Sequence, residues 1–259
     1  MRVLNLLAEE PQTPSEISRR LDTHRSTALR IMEVLAEQRL IRRLPDGRYG
    51  IGPGLITLAQ RALDQFTVVQ LARPHLVQLS ELHDQTVHLA ERHDDHIVYT
   101  DKIEPKRSIR LVSRVGENVR LHTAAVAKAI LAFLPPETRT LLLANADFTR
   151  YTDTTITSAE DFLGVLAEVV ARGWAIDNGE YEDYITSLAA PIRDATGNVV
   201  AAISVIELKA VSTADELKKN MLQPLLDTAA TISTELGWTP AKSGPPSPEH
   251  PPVHAPTPG

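Results

Sequence analysis

The chain has 259 residues, 42% of them hydrophobic and 23% charged, with a formal net charge of −6 and no cysteine. That describes an ordinary globular protein with room for two modest domains, and it excludes thiol catalysis, disulfide staples and Cys-ligated zinc. No apolar run approaches the roughly 18 residues that cross a bilayer, and Met1 leads straight into a helical pattern instead of a signal peptide, so the cytoplasm is the expected location.

Charge is spread unevenly. Residues 1–51 hold nine arginines against seven acidic side chains, a net of +2, while the remainder carries −8. The first fifty residues read as three helices and a hairpin. "RVLNLLAEE" is apolar at helical spacing. In "TPSEISRRL", Thr13 suits the N-cap, Pro14 the first helical position and Glu16 the closing side of a capping box. After the short turn "DTH", a third helix over about 24–38 turns Ala28, Ile31, Met32, Leu35 and Ala36 inward and Ser26, Arg30, Glu33 and Glu37 outward. "LIRRLPDGRYGIG" then gives two short strands around Asp46-Gly47. Helix, helix, tight turn, helix and hairpin make a winged helix-turn-helix over residues 1–52.

In that motif the last helix lies in the major groove and the wing follows the phosphate backbone. The outer face must therefore carry short polar and arginine side chains. His24, Arg25, Ser26 and Thr27 occupy the first turn, Arg30 sits one turn beyond Ser26, and Arg42, Arg43 and Arg48 flank the wing tip. These eight residues are the expected contacts with double-stranded DNA. A solvated helical subdomain, or a sensor that works through protein contacts alone, is the competing reading.

Residues 53–70 restart a helix after "GPG". Its stripe of Leu55, Leu58, Ala59, Ala62, Leu63 and Phe66 is too apolar for a lone connector and is expected to pack against a second copy of the chain, with packing on its own domain as the alternative. From 71 to 239 strands and helices interleave. "LARPHLVQLSELHDQ" is helical, "TVHLAERHDDHIVYTDKI" is strand, turn and strand, and "RLVSRVG" is another strand. "TAAVAKAILAFL" is an apolar helix, and "SAEDFLGVLAEVVARGW" an amphipathic one ending at Gly173. A hairpin about Thr196-Gly197-Asn198 and a final helix complete the series. The class is α+β. Residues 240–259 contain eight prolines and almost nothing apolar, and are expected to be disordered.

"LHTAAVAKAIL" puts a polar, small-residue start before an apolar helix, where backbone N–H groups suit a carboxylate unless Thr123 caps them. A metal centre is a rival for "HDQTVHLAERHDDH". Its four histidines, His83, His88, His93 and His96, include no pair at helical i, i+4 spacing, and His93 to His96 reads as a polar turn. No G-x-S-x-G or G-x-G-x-x-G motif is present. No enzyme and no cofactor are expected.

From Arg2 to about Trp238 the chain resembles the IclR family of bacterial transcriptional regulators. The matching blocks are TPSEISRRLD, RSTALRIMEVLAEQRLIRR, PDGRYGIGPGLITLA, QTVHLAERHDDHIVYTDKI, SRVGENVRLHTAAVAKAILAFLP and ARGWAIDNGEYEDYITSLAAPIRDATGNVVAAISV. The resemblance implies a winged helix, a linker helix used in dimerisation, and a GAF-like effector-binding domain. It also implies homodimers or homotetramers on palindromic operators, commonly beside a catabolic operon, acting as repressor or activator. By the same resemblance His122, Thr123, Ala124, Asp177, Ser187 and Ser204 belong to an effector site. Ile206 stands where many relatives have a second serine, and Tyr184 and Thr186 replace a usual Gly and Arg. A pocket that loses a hydroxyl and gains Ile206 is expected to prefer a partly apolar organic acid, aromatic or branched. Relatives carry several residues before the first helix, so a displaced start or a missing N-terminal arm is also expected.

Overall fold

The structure is a computed structural model that describes residues 1–58, 67–105, 113–144 and 146–239. It divides into two compact units, Met1–Thr67 and Val68–Gly259.

The first unit holds helices α1 (Arg2–Glu9), α2 (Pro14–Arg20) and α3 (Arg25–Glu37) and strands β1 (Ile41–Arg43) and β2 (Tyr49–Ile51). Thr13 and Glu16 form the capping box at α2, with each side chain satisfying a backbone N–H of the other residue. Val3, Leu7, Ile17, Ala28, Met32 and Ile41 make one small core. Burying each of the larger side chains contributes about 1.5–3 kcal/mol. The inward stripe of α3 is narrower than its sequence pattern. Ala28 and Met32 are fully buried, whereas Ile31 lies at the edge of the stripe and is 40% exposed. The expectation that Ile31 turns inward is therefore corrected.

The wing pairs Ile41 with Ile51 and Arg43 with Tyr49, and Gly47 takes φ 86° at its tip. Gln12 bridges Tyr49 with two backbone hydrogen bonds of 2.9 and 2.8 Å, tying the α1–α2 connection to the wing. Beyond β2 the chain closes against the end of α3. A Cβ on Gly52 would lie 2.3 Å from the Arg39 carbonyl oxygen. The backbone around Arg39 has no slack, because Arg39 already sits at φ 58° and its carbonyl accepts from Gly54 N–H. Gly52→Ala is thus expected to destabilise this unit by about 1–3 kcal/mol, as overpacking does, read as an earlier denaturant midpoint. An unchanged midpoint would contradict the close approach. Gly54 to Leu58 begin the next helix. Of the proposed self-association stripe, Ala59, Ala62, Leu63 and Phe66 lie outside the described residues, as does the proline-rich segment 240–259.

The second unit is built on a five-stranded antiparallel sheet in the order β4-β3-β7-β6-β5. Its strands are β3 (Thr86–His93), β4 (His96–Ile103), β5 (Ala175–Asp177), β6 (Ile185–Arg193) and β7 (Val199–Leu208). Both faces of the sheet are covered. Leu188, Ala190, Ile203 and Val205 pack with α4 (Val68–His83) and α8 (Ala214–Glu235) on one side. Ala90, Ala189 and Ala202 pack with α5 (Ala125–Leu131), α6 (Pro136–Leu143) and α7 (Ala159–Arg172) on the other. Period-2 alternation thus serves two cores at once. Gly173 ends α7 in the left-handed conformation at φ 83°. The segment "RLVSRVG" is not a strand where it is described. Residues 106–112 lie outside the described set, Val115-Gly116 is a turn, and Asn118 makes only an isolated bridge to Val98.

Candidate nucleic-acid interface and ligand cavity

Helix α3 follows α2 after a four-residue turn, with Asp22 at φ 51° making the corner. His24 is its N-cap and makes no side-chain cap bond, and its first turn holds no acidic residue. That leaves a helix N-terminus suited to a phosphate. His24, Arg25, Ser26, Thr27 and Arg30 are all exposed along this helix. Arg42, Arg43 and Arg48 are exposed on the wing. The three wing arginines differ in their surroundings. Arg42 and Arg43 are neighbours on β1 and so point to opposite faces of the hairpin. Arg48 is held by Asp46, with Nε and Nη2 each 2.7 Å from Oδ2. That contact keeps the Asp46 carboxyl below its usual range.

In the second unit a cavity of about 630 Å³ opens beside the start of α5. Thr123, Ala124, Asp177, Ser187, Ser204 and Ile206 line it. Sheet register explains the grouping. Asp177 lies opposite Ser187, Ser187 opposite Ile206, and Ser204 opposite His88, so adjacent strands bring residues from distant segments side by side. His122 is not among the lining residues. It turns to the segment after α6, where Nε2 lies 3.1 Å from the Thr149 carbonyl oxygen and the ring stacks on Tyr151. Ala124, and not Thr123, is the N-cap of α5, and no side chain caps it.

Thr123, Ser204 and Ser187 are 1%, 3% and 6% exposed. Among the described residues their hydroxyls have no protein partner, yet none is sealed in the interior, so all three open only to the cavity. A buried hydroxyl without a partner costs free energy that a polar ligand or water recovers. Asp177 Oδ1 accepts from the Glu180 N–H at 2.8 Å. Burial raises the Asp177 pKa, opposed by Lys128 and by the Glu180 and Gly179 N–H groups.

Several further residues, with no motif to mark them, line the same cavity. His88 projects from β3 with Nε2 2.9 Å from Ser113 Oγ and its ring edge-on to Tyr99. Burial pushes its pKa down to about 3, helped by Lys102, so the imidazole is neutral. Burial pushes the Tyr99 phenol up to about 12. Arg120, Tyr181 and Glu182 close the outer side. Behind the wall, Lys128 is 1% exposed and donates to Glu180 Oε1 and, at 2.7 Å, to the Ile176 carbonyl. The loop that follows β5 is pinned further by Thr152 to the Gly179 carbonyl at 2.7 Å and by Thr155 to the Glu180 carbonyl at 2.6 Å. A lone lysine inside the apolar run "AAVAKAILAF" is the sequence signal for such a pair, since a charge there must be matched. Nothing in the sequence marks its partner.

The four histidines of the metal rival are dispersed. His83 ends α4, His88 is buried in β3, and the rings of His93 and His96 lie 6.4 Å apart at the β3–β4 turn. Among the described residues no group of three or more potential ligands converges, and no helix is long and apolar enough to cross a membrane.

Comparisons with known proteins cover both units. The family model described as bacterial transcriptional regulator IclR C-terminal matches residues 60–234, and the IclR helix-turn-helix domain matches residues 1–45. The chain is 29% identical over 238 residues to the HTH-type transcriptional regulator KdgR of Escherichia coli (strain K12), covering 91% of this chain and 90% of that one. It is 30% identical over 220 residues to the DNA-binding transcriptional repressor YiaJ of the same organism, with 83% and 78% covered. Among solved structures, the Agobacterium tumefaciens repressor BlcR aligns with a TM-score of 0.78 at 26% identity, over 92% of this chain and 94% of that one. The Thermotoga maritima IclR aligns with a TM-score of 0.62 at 32% identity, over 91% and 96%.

Proposed function

The chain belongs to the IclR family of bacterial transcriptional regulators and is a DNA-binding regulator of transcription, not an enzyme; from that premise we propose that its grip on an operator is set by a small organic acid held in the cavity beside α5. Residues 1–52 bind the DNA, 53–70 link and associate with a second copy in a homodimer or homotetramer, and 71–239 bind the effector. The regulator works in the cytoplasm on a catabolic operon.

One observation carries the ligand reading: three nearly buried hydroxyls, on Thr123, Ser187 and Ser204, face one cavity and have no partner among the described residues. Asp177 accepts a hydroxyl or amine of the ligand and repels a second carboxylate, while Ile206, Ile185 and Val119 supply an apolar wall. The ligand is a monoanionic, partly apolar hydroxy acid, aromatic or branched. A thermal-shift panel of such acids against the full chain tests this. At least one acid is expected to raise Tm. Ser204→Ala is expected to weaken it by roughly 2- to 10-fold through one lost hydrogen bond, and Ile206→Ser to shift preference toward smaller, more polar acids. Stabilisation by dicarboxylates or neutral sugars alone would reject the charge assignment. An unchanged ranking with Ile206→Ser would remove that side chain from the ligand's surroundings.

A further inference from the structure

We infer that Arg120 is the residue that recognises the effector's acidic group, holding it at the mouth of the cavity while the hydroxyls of Thr123, Ser187 and Ser204 take the inner end; this rests on the reading of the cavity as the effector site. Nothing in the sequence pattern singled out Arg120. Three observations do so together.

The first is charge. Among the described lining residues Arg120 is the one permanent cation. His88 is buried and neutral, and Lys128 lies behind the wall, committed to Glu180 and the Ile176 carbonyl.

The second is what Arg120 does not do. Glu117, Asp177 and Glu182 line the same cavity, yet among the described residues none pairs with it. Two of these carboxylates instead accept backbone N–H groups. Glu117 Oε2 accepts from the Arg114 N–H at 3.1 Å and Asp177 Oδ1 from the Glu180 N–H at 2.8 Å. Arg20, Arg48 and Arg73, by contrast, each find a carboxylate within 2.8 Å. With no direct ion pair among the described residues, the Arg120 N–H donors are open to an external anion.

The third is posture. The Arg120 guanidinium carbon lies 3.7 Å from the Tyr181 ring centroid, and the Tyr181 ring meets Tyr151 edge-to-face at 4.8 Å. A guanidinium lying over a ring face is attracted through its charge and need not use its N–H donors there. The ring contact therefore holds the guanidinium at the cavity while leaving its donors for a ligand. A carboxylate is the group that a fork receives with two parallel bonds. The three neighbouring acids make a second negative charge on the ligand unfavourable, which selects a monoanion over a dianion. Because Arg120 is exposed at the rim and the partnerless hydroxyls are buried, the ligand has one orientation, acid outward.

The test compares acids with their neutral primary amides, using 4-hydroxybenzoate with 4-hydroxybenzamide and 2-hydroxyisovalerate with its amide, on the full chain. Wild type is expected to bind at least one acid more tightly than its amide. Arg120→Gln should lower that acid's affinity by roughly 10- to 100-fold, the loss expected for a hydrogen bond to a charged group, while the amide is unaffected. Amide binding also reports that the cavity is intact. Arg120→Lys, which keeps the charge but not the fork, should fall between the two. If Arg120→Gln keeps the full preference for acid over amide, the anion sits elsewhere and the inference fails. Equal binding of acid and amide by wild type overturns it too, but leaves the cavity as the effector site. Binding of neither by wild type rejects the ligand class itself, and the inference with it.

Discussion

Lys128→Met should destabilise the second unit, by up to about 3–5 kcal/mol at alkaline pH, the cost of breaking a buried ion pair from one side. The side chain lost is 1% exposed and holds both Glu180 and the Ile176 carbonyl. Without it the Glu180 carboxylate has no cation inside the wall, and Glu180 Oε2 already has no partner. The chain's escape is to protonate Glu180. Burial has already moved the folded wild type part of the way there, so the extra cost of losing Lys128 appears mainly above neutrality. Burial already pushes the Glu180 carboxyl up to about 7, with Lys128 opposing. A pKa raised on folding means the protonated form favours the folded state. The contribution is complete below the unfolded pKa of about 4.5 and is lost as pH rises through the folded value near 7. Removing Lys128 raises the folded pKa further, so the deficit keeps growing above neutrality. The Tm difference between wild type and Lys128→Met should therefore be small at pH 5 and largest at pH 8. Pairing Lys128→Met with Glu180→Leu should restore much of the loss, because an apolar pair needs no charge matched. A deficit that does not vary with pH would mean that packing, not the ion pair, is what Lys128 contributes.

Arg30→Ala is expected to weaken operator binding by about 1–3 kcal/mol, the range for one good base contact. Arg30 lies on the exposed face of α3, one turn beyond Ser26, and among the described residues no acid pairs with it. The loss should be confined to the operator, leaving random duplex nearly unchanged. Arg42→Ala should behave differently. A phosphate contact carries no sequence information, so operator and random DNA should weaken together and the salt slope should flatten by about one unit. Arg48→Ala should matter less than Arg42→Ala, because Asp46 already holds Arg48 in an ion pair. Equal losses on operator and random DNA for Arg30→Ala would make it a backbone contact.

Local chemistry was readable from the residues wherever one short stretch determines its own shape. The Thr13–Glu16 capping box, the Asp46-Gly47 hairpin and the Gly173 helix end each depend on a few adjacent side chains, and each forms. Ile31 departs because periodicity marks an apolar face but not how wide a face a small core can cover. The strand expected over "RLVSRVG" departs because its described part turns at Val115-Gly116, and local propensity does not supply a neighbour for it to pair with. Resemblance supplied seven cavity positions, and six of them line one cavity. His122 does not, since Phe148 and Tyr151 give its ring a packing site on another segment. Arg120 and the Lys128–Glu180 pair were out of reach for the same reason. Their meaning comes from Tyr181 and Glu180, which are far away in sequence and adjacent only once the β5–β6 loop is pinned.

The most direct test is a fluorescence-anisotropy titration of the full chain on duplexes from the region upstream of its own gene and the flanking intergenic regions, with and without a stabilising acid from the thermal-shift panel. Salt-sensitive binding to at least one of these duplexes in preference to a scrambled one is expected, with a change of roughly tenfold or more in Kd when the acid saturates the cavity, a coupling of about 1.4 kcal/mol. Binding that ignores sequence, or a Kd that the acid leaves unchanged, would contradict it.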